Sequence, residues 1–339
     1  MSSTTRRFCG SVTGDGMTAG GESLLLALDF GGTKLTAGLT APGERRWRAH
    51  RRVPAPPGSN AQSDREIMMA LAQDMLTTAE LPLAAVGVSF GGPVDAARGV
   101  VLLSHHVPGW ENTPLRQWLE ARLGVPVAVD NDANAGALGE WRFGAGQGCD
   151  SILYVTVSTG IGGGWIVNGQ PYRGADGMAG EIGHIVIQPG GSECICGRRG
   201  CLEALAAGPA IARRARECLA GNPTAGRALR ALAGGDMEAI TARHVSQAAA
   251  TGDDLAQQVL DEVAHFLGQG IGSAITLMNP QRVVVGGGVA KSGPRYFEMV
   301  RAAARANVLP GMTVDIVPAA LGDDAPLWGA VVLAGDLLD

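Results

Sequence analysis

Residues 24–34 read LLLALDFGGTK, five apolar residues followed by an aspartate, a phenylalanine, two glycines, a threonine and a lysine. A continuous apolar run is typical of a strand buried on both faces of a parallel sheet, because a half-buried strand alternates apolar and polar residues. Glycines directly after such a strand let the backbone approach a ligand, and open α/β sheets bind ligands at the carboxyl ends of their strands. The stretch therefore predicts an α/β fold with a ligand site after its first strand.

The same arrangement of a strand followed by glycines or acidic residues returns along the chain. Further apolar runs at 86–90, 125–129, 151–157 and 282–285 end in Gly91-Gly92-Pro93, Asp130-Asn131-Asp132, Ser158-Thr159-Gly160 and Gly286-Gly287-Gly288. Helical patterns separate these strands, which is typical of an α/β protein. Because a strand followed by glycine occurs in both halves, we expect two similar lobes with a nucleotide site in the cleft between them.

The composition excludes several classes of protein. Glycine supplies 51 of the 339 residues, roughly twice the ordinary share of about 7 %. Apolar residues make up 46 % of the chain, which argues against disorder, and no Gly-X-Y period indicates collagen. The net charge of −5 argues against a surface that coats nucleic acid. No apolar run is long enough for a membrane span, and the length suggests two domains.

Start and stop signals predict where several helices begin and end. Ser63 and Glu66 form a capping box ahead of an apolar stretch with helical spacing. Thr113 reads as a cap followed by proline at the first helical position, and Gly124 closes that helix. Further helical patterns, each read as one helix, cover 202–219, 255–278 and the residues from Ala325.

The first glycine loop has the residue types that a phosphate site requires. Gly31 and Gly32 would let backbone N–H groups reach phosphate oxygens, while Thr33 adds a hydroxyl donor and Lys34 a positive charge. Asp29 would hold Mg²⁺, directly or through water. The loop is neither a Walker A sequence nor G-x-G-x-x-G, and an ordinary β-turn into a second strand remains the alternative.

Two further glycine clusters strengthen the prediction of a nucleotide site. Residues 159–164, TGIGGG, follow the first strand of the second half, so phosphates would be held from both sides of the cleft. Gly286-Gly287-Gly288 would let an adenine or a ribose lie against the backbone. As isolated motifs such clusters are commonly tight turns.

Asn131-Asp132 follows the third strand of the first half. A carboxylate at that strand end, opposite the phosphate loop, can accept a proton from a substrate hydroxyl as a general base. The alternative is that Asp130 or Asp132 caps the next helix, predicted over 133–139.

His184, Cys194, Cys196 and Cys201 form the most specific pattern in the sequence. Three thiolates and one imidazole complete a tetrahedral Zn²⁺ shell, and a closed shell indicates a structural metal. A chance cysteine cluster, a redox pair and a nucleic-acid zinc knuckle are the alternatives. The acidic charge argues against the knuckle, and the C-x-C spacing differs from the usual redox C-x-x-C.

Together these residues resemble the ROK family of sugar kinases and related repressors, and within it the bacterial glucokinases. The resemblance covers the chain from residue 24 to about 339. Gly91 stands where the family usually has proline, which we expect to alter the stiffness of a sugar-facing loop. The matching segments are DFGGTK at 29–34, GGPVD at 91–95, NDANAGALGE at 131–140, TGIGGG at 159–164, EIGH at 181–184, CICGRRGCLE at 194–203 and VVVGGGV at 283–289.

The resemblance implies a two-lobed actin-like ATPase fold, related to ribonuclease H, that closes on ATP and a hexose. It implies that Asp132 is the base for the 6-hydroxyl of the sugar, and that the zinc loop over 184–203 orients the sugar pocket. The implied sugar-binding residues are Gly92, Asn131, Asp132, Glu181, His184 and Glu203. The implied ATP-binding residues are Asp29, Gly31, Gly32, Thr33, Lys34, Thr159, Gly160, Gly286, Gly287 and Gly288. The expected cofactors are structural Zn²⁺ and Mg²⁺ with ATP.

We expect a disordered leader over 1–22 and a smaller lobe over 23–132 that the C-terminal helix 325–339 completes. A larger lobe would span 133–324 and carry the zinc loop. Three thiols in one cluster favour a reducing cytoplasm. We expect no membrane or nucleic-acid partner, and a homodimer or homotetramer follows from the resemblance.

The resulting functional prediction is an ATP-dependent hexokinase acting on glucose. An N-acylhexosamine kinase, acting on N-acetylmannosamine or N-acetylglucosamine, is the nearest alternative. A sugar-responsive repressor would need a helix-turn-helix ahead of the first strand, and we expect the short segment before Leu24 to hold none. A sugar-binding regulator without catalysis is disfavoured by the presence of Asp132.

Overall fold

The computed structural model describes residues 23–222 and 224–339. The leader expected over 1–22 lies outside the described residues. Within the described part of the chain, no helix combines the length and the apolar character needed to cross a membrane.

Strands and helices alternate along the chain, as the sequence predicts. The strands are β1 Leu24–Phe30, β2 Lys34–Thr40, β3 Ala49–Pro54, β4 Leu83–Phe90, β5 Val94–Asp95, β6 Val100–Val101, β7 Val127–Asn131, β8 Ile152–Val157, β9 Ile161–Val167, β10 Gln170–Tyr172, β11 Arg282–Gly286 and β12 Asp315–Pro318. The α-helices are α1 Ala61–Thr77, α2 Leu115–Leu123, α3 Asp132–Phe143, α4 Leu202–Ala206, α5 Gly208–Gly221, α6 Arg227–Leu232, α7 Ala242–Ala250, α8 Asp254–Met278, α9 Pro294–Ala306 and α10 Ala325–Gly335. Short 3₁₀ turns cover Ile182–His184, Val289–Lys291 and Gly322–Asp324.

The first sheet brings three functional segments to one edge. Its strand order is β3-β2-β1-β4-β7, with β1, β4 and β7 parallel. The register sets Asp29 beside Ser89, and Ser89 beside Asp130. The segments that follow these three strands therefore meet at the carboxyl edge of the sheet. Strands β1 and β2 form an antiparallel hairpin. Residues 31–33 are therefore a turn into a second strand, as the alternative to a phosphate loop predicts.

The second sheet repeats this design. Its order is β10-β9-β8-β11-β12, with β8, β11 and β12 parallel and β9 antiparallel to β8. The long helix α8 covers one face through buried residues that include Val263, Leu267 and Ile271. The chain thus forms two β-sheets of mixed strand direction with helices between their strands, and each sheet has glycine in the loop after its first strand. This confirms the α/β prediction.

The last helix of the chain packs on the first sheet. Leu327, Ala330 and Val331 of α10 form one buried cluster with Leu25 and Ala27 of β1. The approach is so close that a methyl group on Gly87 of β4 would lie 1.7 Å from the carbonyl oxygen of Ala330. On its other side α10 contacts α3, where a methyl group on Gly329 would lie 1.7 Å from the oxygen of Ala135. Glycine at both helix contacts is therefore a packing requirement.

Two helix starts differ from the sequence prediction. In α1 the cap is Asn60, whose Oδ1 accepts from the backbone N–H groups of Gln62 and Ser63 at 2.9 and 3.0 Å. In this capping box Ser63 is the third helical residue and not the cap. The predicted box, Ser63 with Glu66, therefore begins three residues too late. In α2 the cap position is Pro114, which makes no side-chain capping bond. The predicted end at Gly124 is confirmed, since its φ of +71° is left-handed.

The single helix predicted over 202–219 is two helices, α4 and α5. The chain is extended at Ala207, with φ −74° and ψ 167°. Pro209 explains the break, because its nitrogen has no hydrogen to donate to the previous turn. The break directs the first turn of α5 to the end of β8, where Gly208 N donates to Ser158 O at 2.8 Å.

Candidate functional site

A cleft of about 330 Å³ lies where the carboxyl ends of the two sheets face each other. It is lined by all six predicted sugar-binding residues and by parts of the glycine loops after β1 and β8. The predicted site residues that line it are Gly32, Thr33, Gly92, Asn131, Asp132, Thr159, Gly160, Glu181, His184 and Glu203.

Asp132 is the first residue of α3 and lines this cleft. Asn131 caps the helix, because its Oδ1 accepts from the N–H groups of Ala133 and Asn134 at 2.9 and 3.3 Å. The alternative that Asp130 or Asp132 is the cap is therefore wrong, and the carboxylate of Asp132 is left for other chemistry. Strand β7 ends at Asn131 rather than at the predicted residue 129, which brings Asp132 directly to the sheet edge.

The electrostatic surroundings of Asp132 suit a proton acceptor. Burial raises the pKa of its carboxyl from 3.8 to about 7, and the charges of Asp29 and Glu181 act in the same direction. Hydrogen bonds from Ala133 and Asn131 oppose the shift. A carboxylate with a pKa near neutrality is well matched to general-base work at physiological pH.

Asn131 also joins the two strand ends of the first sheet. Its Nδ2 donates to the carbonyl oxygen of Gly92 at 3.0 Å. A side chain on Gly92 would have its Cβ 2.7 Å from the oxygen of Leu103, so glycine is required by this close approach. Asn131 thus fixes the wall of the cleft and keeps one amide hydrogen for a ligand.

On the opposite wall, Glu203 and His184 have fixed positions. Glu203 lies in the first turn of α4, and its Oε2 accepts from Ile161 N at 2.9 Å. A Cβ on Gly160 would lie 2.6 Å from the same oxygen. His184 ends a 3₁₀ turn, with its Nε2 4.0 Å from Glu181 Oε2. The loop after β8 and the two acids therefore form one wall.

The structure brings the four predicted metal ligands together. The ligand atoms of His184, Cys194, Cys196 and Cys201 all lie within 4.8 Å of one another. Cys194 Sγ lies 3.5 Å from His184 Nδ1, and Cys196 Sγ lies 3.6 Å from Cys201 Sγ. The Nε2 of His184 is on the side of Glu181, so the ring can serve the cluster and the cleft with different nitrogens.

Asp29 lies near the end of β1, just before the first glycine loop, Gly31-Gly32-Thr33. Ser89 Oγ of β4 donates to its Oδ1 at 2.8 Å. Burial raises the pKa of Asp29 to about 6, and the bond from Ser89 lowers it in part. The charge of Asp29 in turn raises the pKa of Asp132, which is a surrounding that a divalent cation would relieve.

A second cavity of about 920 Å³ adjoins the cleft and shares Ser158 and Thr159 with it. Among its lining residues are Gly208, Ala242, Ser246, Gly288, Lys291 and Ser292. Thr159 and Gly288 are therefore placed where a nucleotide could extend away from the reaction cleft. The adjoining cavities agree with a two-part ligand.

Three other predicted ATP residues have local partners. Lys34 Nζ donates to Asp323 at 3.3 Å, and Lys291 Nζ donates to the other oxygen of Asp323 at 2.7 Å. Gly287 has φ +88°, and its Cβ would lie 2.3 Å from the oxygen of Val157. Gly286 packs on the Tyr154 hydroxyl. Neither Gly286 nor Gly287 lines the two cavities described above, so contacts between segments explain both glycines.

Sequence reasoning missed the buried ion pair of Asp130 and Arg173. Arg173 Nε and Nη2 donate to Asp130 Oδ2 at 2.8 and 2.7 Å, and Asn134 Nδ2 donates to Oδ1 at 3.0 Å. Arg173 follows β10, at the start of the segment that leads to Glu181. The pair therefore ties the strand before Asp132 to the segment before Glu181. No local sequence signal links residues 43 positions apart.

We expect Arg173→Ala to destabilise the protein by about 3 kcal/mol, because it leaves the carboxylate of Asp130, whose side chain is only 1 % exposed, without its charged partner. Arg98→Ala is the matched control, since it breaks an exposed pair with Asp95 worth at most about 1 kcal/mol. Urea unfolding measures both changes. Equal free energies of unfolding for Arg173→Ala and wild type would contradict the role given to this pair.

Comparison with known proteins agrees with this geometry. The family model described as ROK family matches residues 25–336. The chain is 34 % identical over 314 residues to a glucokinase from Streptomyces coelicolor, covering 92 % of this chain and 97 % of that protein. It is 34 % identical over 311 residues to an N-acetylmannosamine kinase from Shigella boydii, covering 91 % and 97 %. A solved ROK family glucokinase from Streptomyces griseus, in complex with glucose and AMPPNP, superposes with a TM-score of 0.82 at 35 % identity, covering 93 % of this chain and 100 % of that one.

Proposed function

This chain belongs to the ROK family, and from that premise we propose that it is an ATP-dependent hexokinase that phosphorylates the 6-hydroxyl of a hexose, with glucose as the preferred sugar. The observation that carries the proposal is Asp132, a carboxyl group with a pKa of about 7 that lines a cleft between two glycine loops. The glucokinase relatives support glucose as the sugar.

The reaction follows from the position of Asp132. Its carboxylate takes the proton of the 6-hydroxyl as that oxygen attacks the terminal phosphorus of ATP, and ADP departs with the bonding electron pair. Asn131, Glu181, His184 and Glu203 are proposed to hold the other hydroxyls, because their polar groups line the same cleft. Positioning and charge neutralisation account for most of the catalysis of phosphoryl transfer, so a rigid set of hydrogen-bonding groups is what the reaction needs.

ATP is proposed to lie across both cavities, with its phosphates between Gly32-Thr33 and Thr159-Gly160. Asp29 fits the role of holding Mg²⁺, since its buried carboxyl lies near a second one and gains from a nearby cation. When bound, Mg²⁺ neutralises part of the phosphate charge. Closure of the two lobes would exclude water from the cleft and limit hydrolysis of ATP.

The four-residue cluster is proposed to bind structural zinc. With metal–ligand bonds of about 2.3 Å to sulfur and 2.0–2.1 Å to nitrogen, tetrahedral ligands lie about 3.8 Å apart for two sulfurs and about 3.6 Å for sulfur and nitrogen. The separations of 3.6 Å between Cys196 and Cys201 and of 3.5 Å between Cys194 and His184 fit these values. The metal would fix the His184 ring, whose other nitrogen serves the sugar.

Other features of the proposal concern the protein as a whole. The lobe boundaries at 23–132 with 325–339, and at 133–324, remain our proposed division of the chain. The thiols of the cluster and the use of ATP support a cytoplasmic location. We retain a homodimer or homotetramer as the proposed assembly.

A panel of acceptor sugars tests the assignment. With ATP as donor, we expect kcat/KM to be at least about tenfold higher for glucose than for N-acetylglucosamine or N-acetylmannosamine, because an N-acyl group must be accommodated in a cleft of about 330 Å³ built for hydroxyls. Mannose, fructose and allose complete the panel, and polyphosphate replaces ATP in a parallel series. The N-acetylmannosamine kinase relative is the reason for this comparison. A higher kcat/KM for an N-acylated sugar would establish the alternative function.

A further inference from the structure

The loop over residues 102–109 places two histidines in the reaction cleft. His105 and His106 are exposed at its tip and line the cleft on the side of the first sheet. Glu181, His184 and Glu203 line it from the side of the second sheet. The loop thus adds two imidazoles to the side of the cleft that also carries Asp132, although the pair has no sequence signature.

The loop is held at its tip and at both ends. Ser104 Oγ accepts from the backbone N–H of Val107 at 3.2 Å and from that of His106 at 3.4 Å. Leu102 N donates to Pro93 O at 3.0 Å. Val107 is buried in the core of the first sheet. The two imidazoles are therefore carried on an anchored turn.

His106 lies against the phosphate loop. A Cβ on Gly32 would lie 3.4 Å from both Cβ and Cδ2 of His106. Within residues 23–222 and 224–339, no protein group forms a hydrogen bond with the ring nitrogens of His106; its one hydrogen bond is from its backbone N–H to Ser104. The ring thus lies beside the first glycine loop and retains its hydrogen-bonding capacity for a ligand.

The cleft has few positive side chains for the phosphate charge. Of the described residues that line it, the basic ones are His105, His106 and His184. His184 faces the cysteine cluster with one nitrogen. Lys34, the lysine of the phosphate loop, is paired with Asp323. In phosphoryl transfer, charge is spread over the three equatorial oxygens of the migrating group, and donors aimed at them lower the barrier.

We propose that His106 donates a hydrogen bond to the phosphoryl group as it passes from ATP to the sugar, an inference that rests on the proposed kinase function. The oxygen–phosphorus bond to the sugar forms while the bond to ADP breaks. The hydroxyl proton goes to Asp132, and ADP leaves with the electron pair. His106 neither gains nor loses a proton in the step. It stabilises the charge from the side of the first sheet.

His106→Leu tests this role in the full chain, because leucine is similar in size and has no hydrogen-bond donor. We expect kcat with ATP and glucose to fall by roughly 10²-fold, the usual effect of removing one donor to a transition-state oxygen, with the KM for glucose unchanged. His265→Leu is the control, since that histidine is exposed on α8 and does not line either cavity described above. Wild-type kcat in His106→Leu would overturn the proposal.

A binding experiment separates this role from a structural one. ADP with aluminium fluoride imitates the migrating phosphoryl group, and its affinity in the presence of glucose is measured by calorimetry. For His106→Leu we expect that affinity to fall by about the same factor as kcat, with glucose alone and ADP alone bound as in wild type. Unchanged affinity for the fluoride complex, or equal weakening of all three ligands, would overturn the proposal.

His105→Leu distinguishes the ring of His106 from the shape of the loop. We expect a smaller loss of kcat, because the three atoms nearest to a Cβ built on Gly32 all belong to His106 and none to His105. A loss as large as that of His106→Leu would assign the effect to the loop and overturn the proposal. An inactive wild-type protein with every sugar would instead contradict the proposed function.

Discussion

Replacing Asp132 with asparagine is expected to lower kcat by at least about 10²-fold while glucose still binds, because the amide keeps the shape of the side chain and cannot accept the hydroxyl proton. Steady-state assays with ATP and glucose measure kcat, and calorimetry measures glucose binding. Asp95→Asn is a suitable control, since Asp95 is a partly exposed carboxylate paired with Arg98. Near-normal turnover in Asp132→Asn would contradict the role of Asp132.

The wild-type pH profile gives a second check on the same residue. Burial raises the pKa of Asp132 to about 7, so the carboxyl is ionised above that pH and protonated below it. Because the base must be ionised, kcat/KM should fall as the pH decreases through about 7. Asp29 titrates nearby with a pKa of about 6, so the fall belongs to the pair of groups.

Stability should change in the opposite direction to activity. A carboxyl whose pKa is higher in the folded than in the unfolded protein costs stability once it is ionised. For Asp132 this cost is absent below about pH 3.8, grows up to about 7 and is complete above that. Asp132→Asn removes the cost, so its Tm at pH 8 should exceed that of wild type. A Tm below that of wild type would show that the carboxylate stabilises the fold.

Removing one cysteine of the cluster is expected to have the second large effect. Cys201 is fully buried, and Cys201→Ser should reduce zinc from about one per chain to almost none. Structural zinc contributes roughly 10–16 kcal/mol of apparent free energy in small zinc peptides, so we expect loss of order over 184–203 and with it loss of kinase activity. Metal analysis measures the first result, and hydrogen exchange measures the second.

Two cysteines elsewhere are matched controls for the zinc experiment. Cys149 and Cys218 are partly buried and lie outside the cluster. Cys149→Ser and Cys218→Ser should keep both zinc and activity. Chelation of the wild-type protein should reproduce the hydrogen exchange of Cys201→Ser in the 184–203 segment. A metal-free preparation with full activity would contradict the structural role of the metal.

The strands were predictable because their signal is local. The apolar run 24–28 lies within β1, and the run 151–157 begins one residue before β8 and ends with it. The glycines after these runs mark the edge of the sheets where the cleft lies. The break at Ala207 was not apparent from helical spacing, since apolar residues continue at that spacing through α4 and α5. Pro209, which lies inside the pattern, is the sequence signal that indicates the break.

The site was predictable where motifs are compact and not where partners are distant. The four metal ligands lie within 18 positions of each other, and the structure gathers them as expected. Asp130 with Arg173, and His106 with Gly32, are brought together by the register of the sheets and by a loop. No periodicity predicts such contacts, and the same is true of the ion pair between Lys34 and Asp323.

The packing of α10 on β1 and β4 has a consequence for synthesis of the protein. Strand β1 begins at Leu24 and helix α10 begins at Ala325, so β1 is translated long before the helix that covers Leu25 and Ala27. Until α10 has been made, that face of the sheet lacks its cover. Burial of this face therefore waits for α10, although the strands that form it are made much earlier.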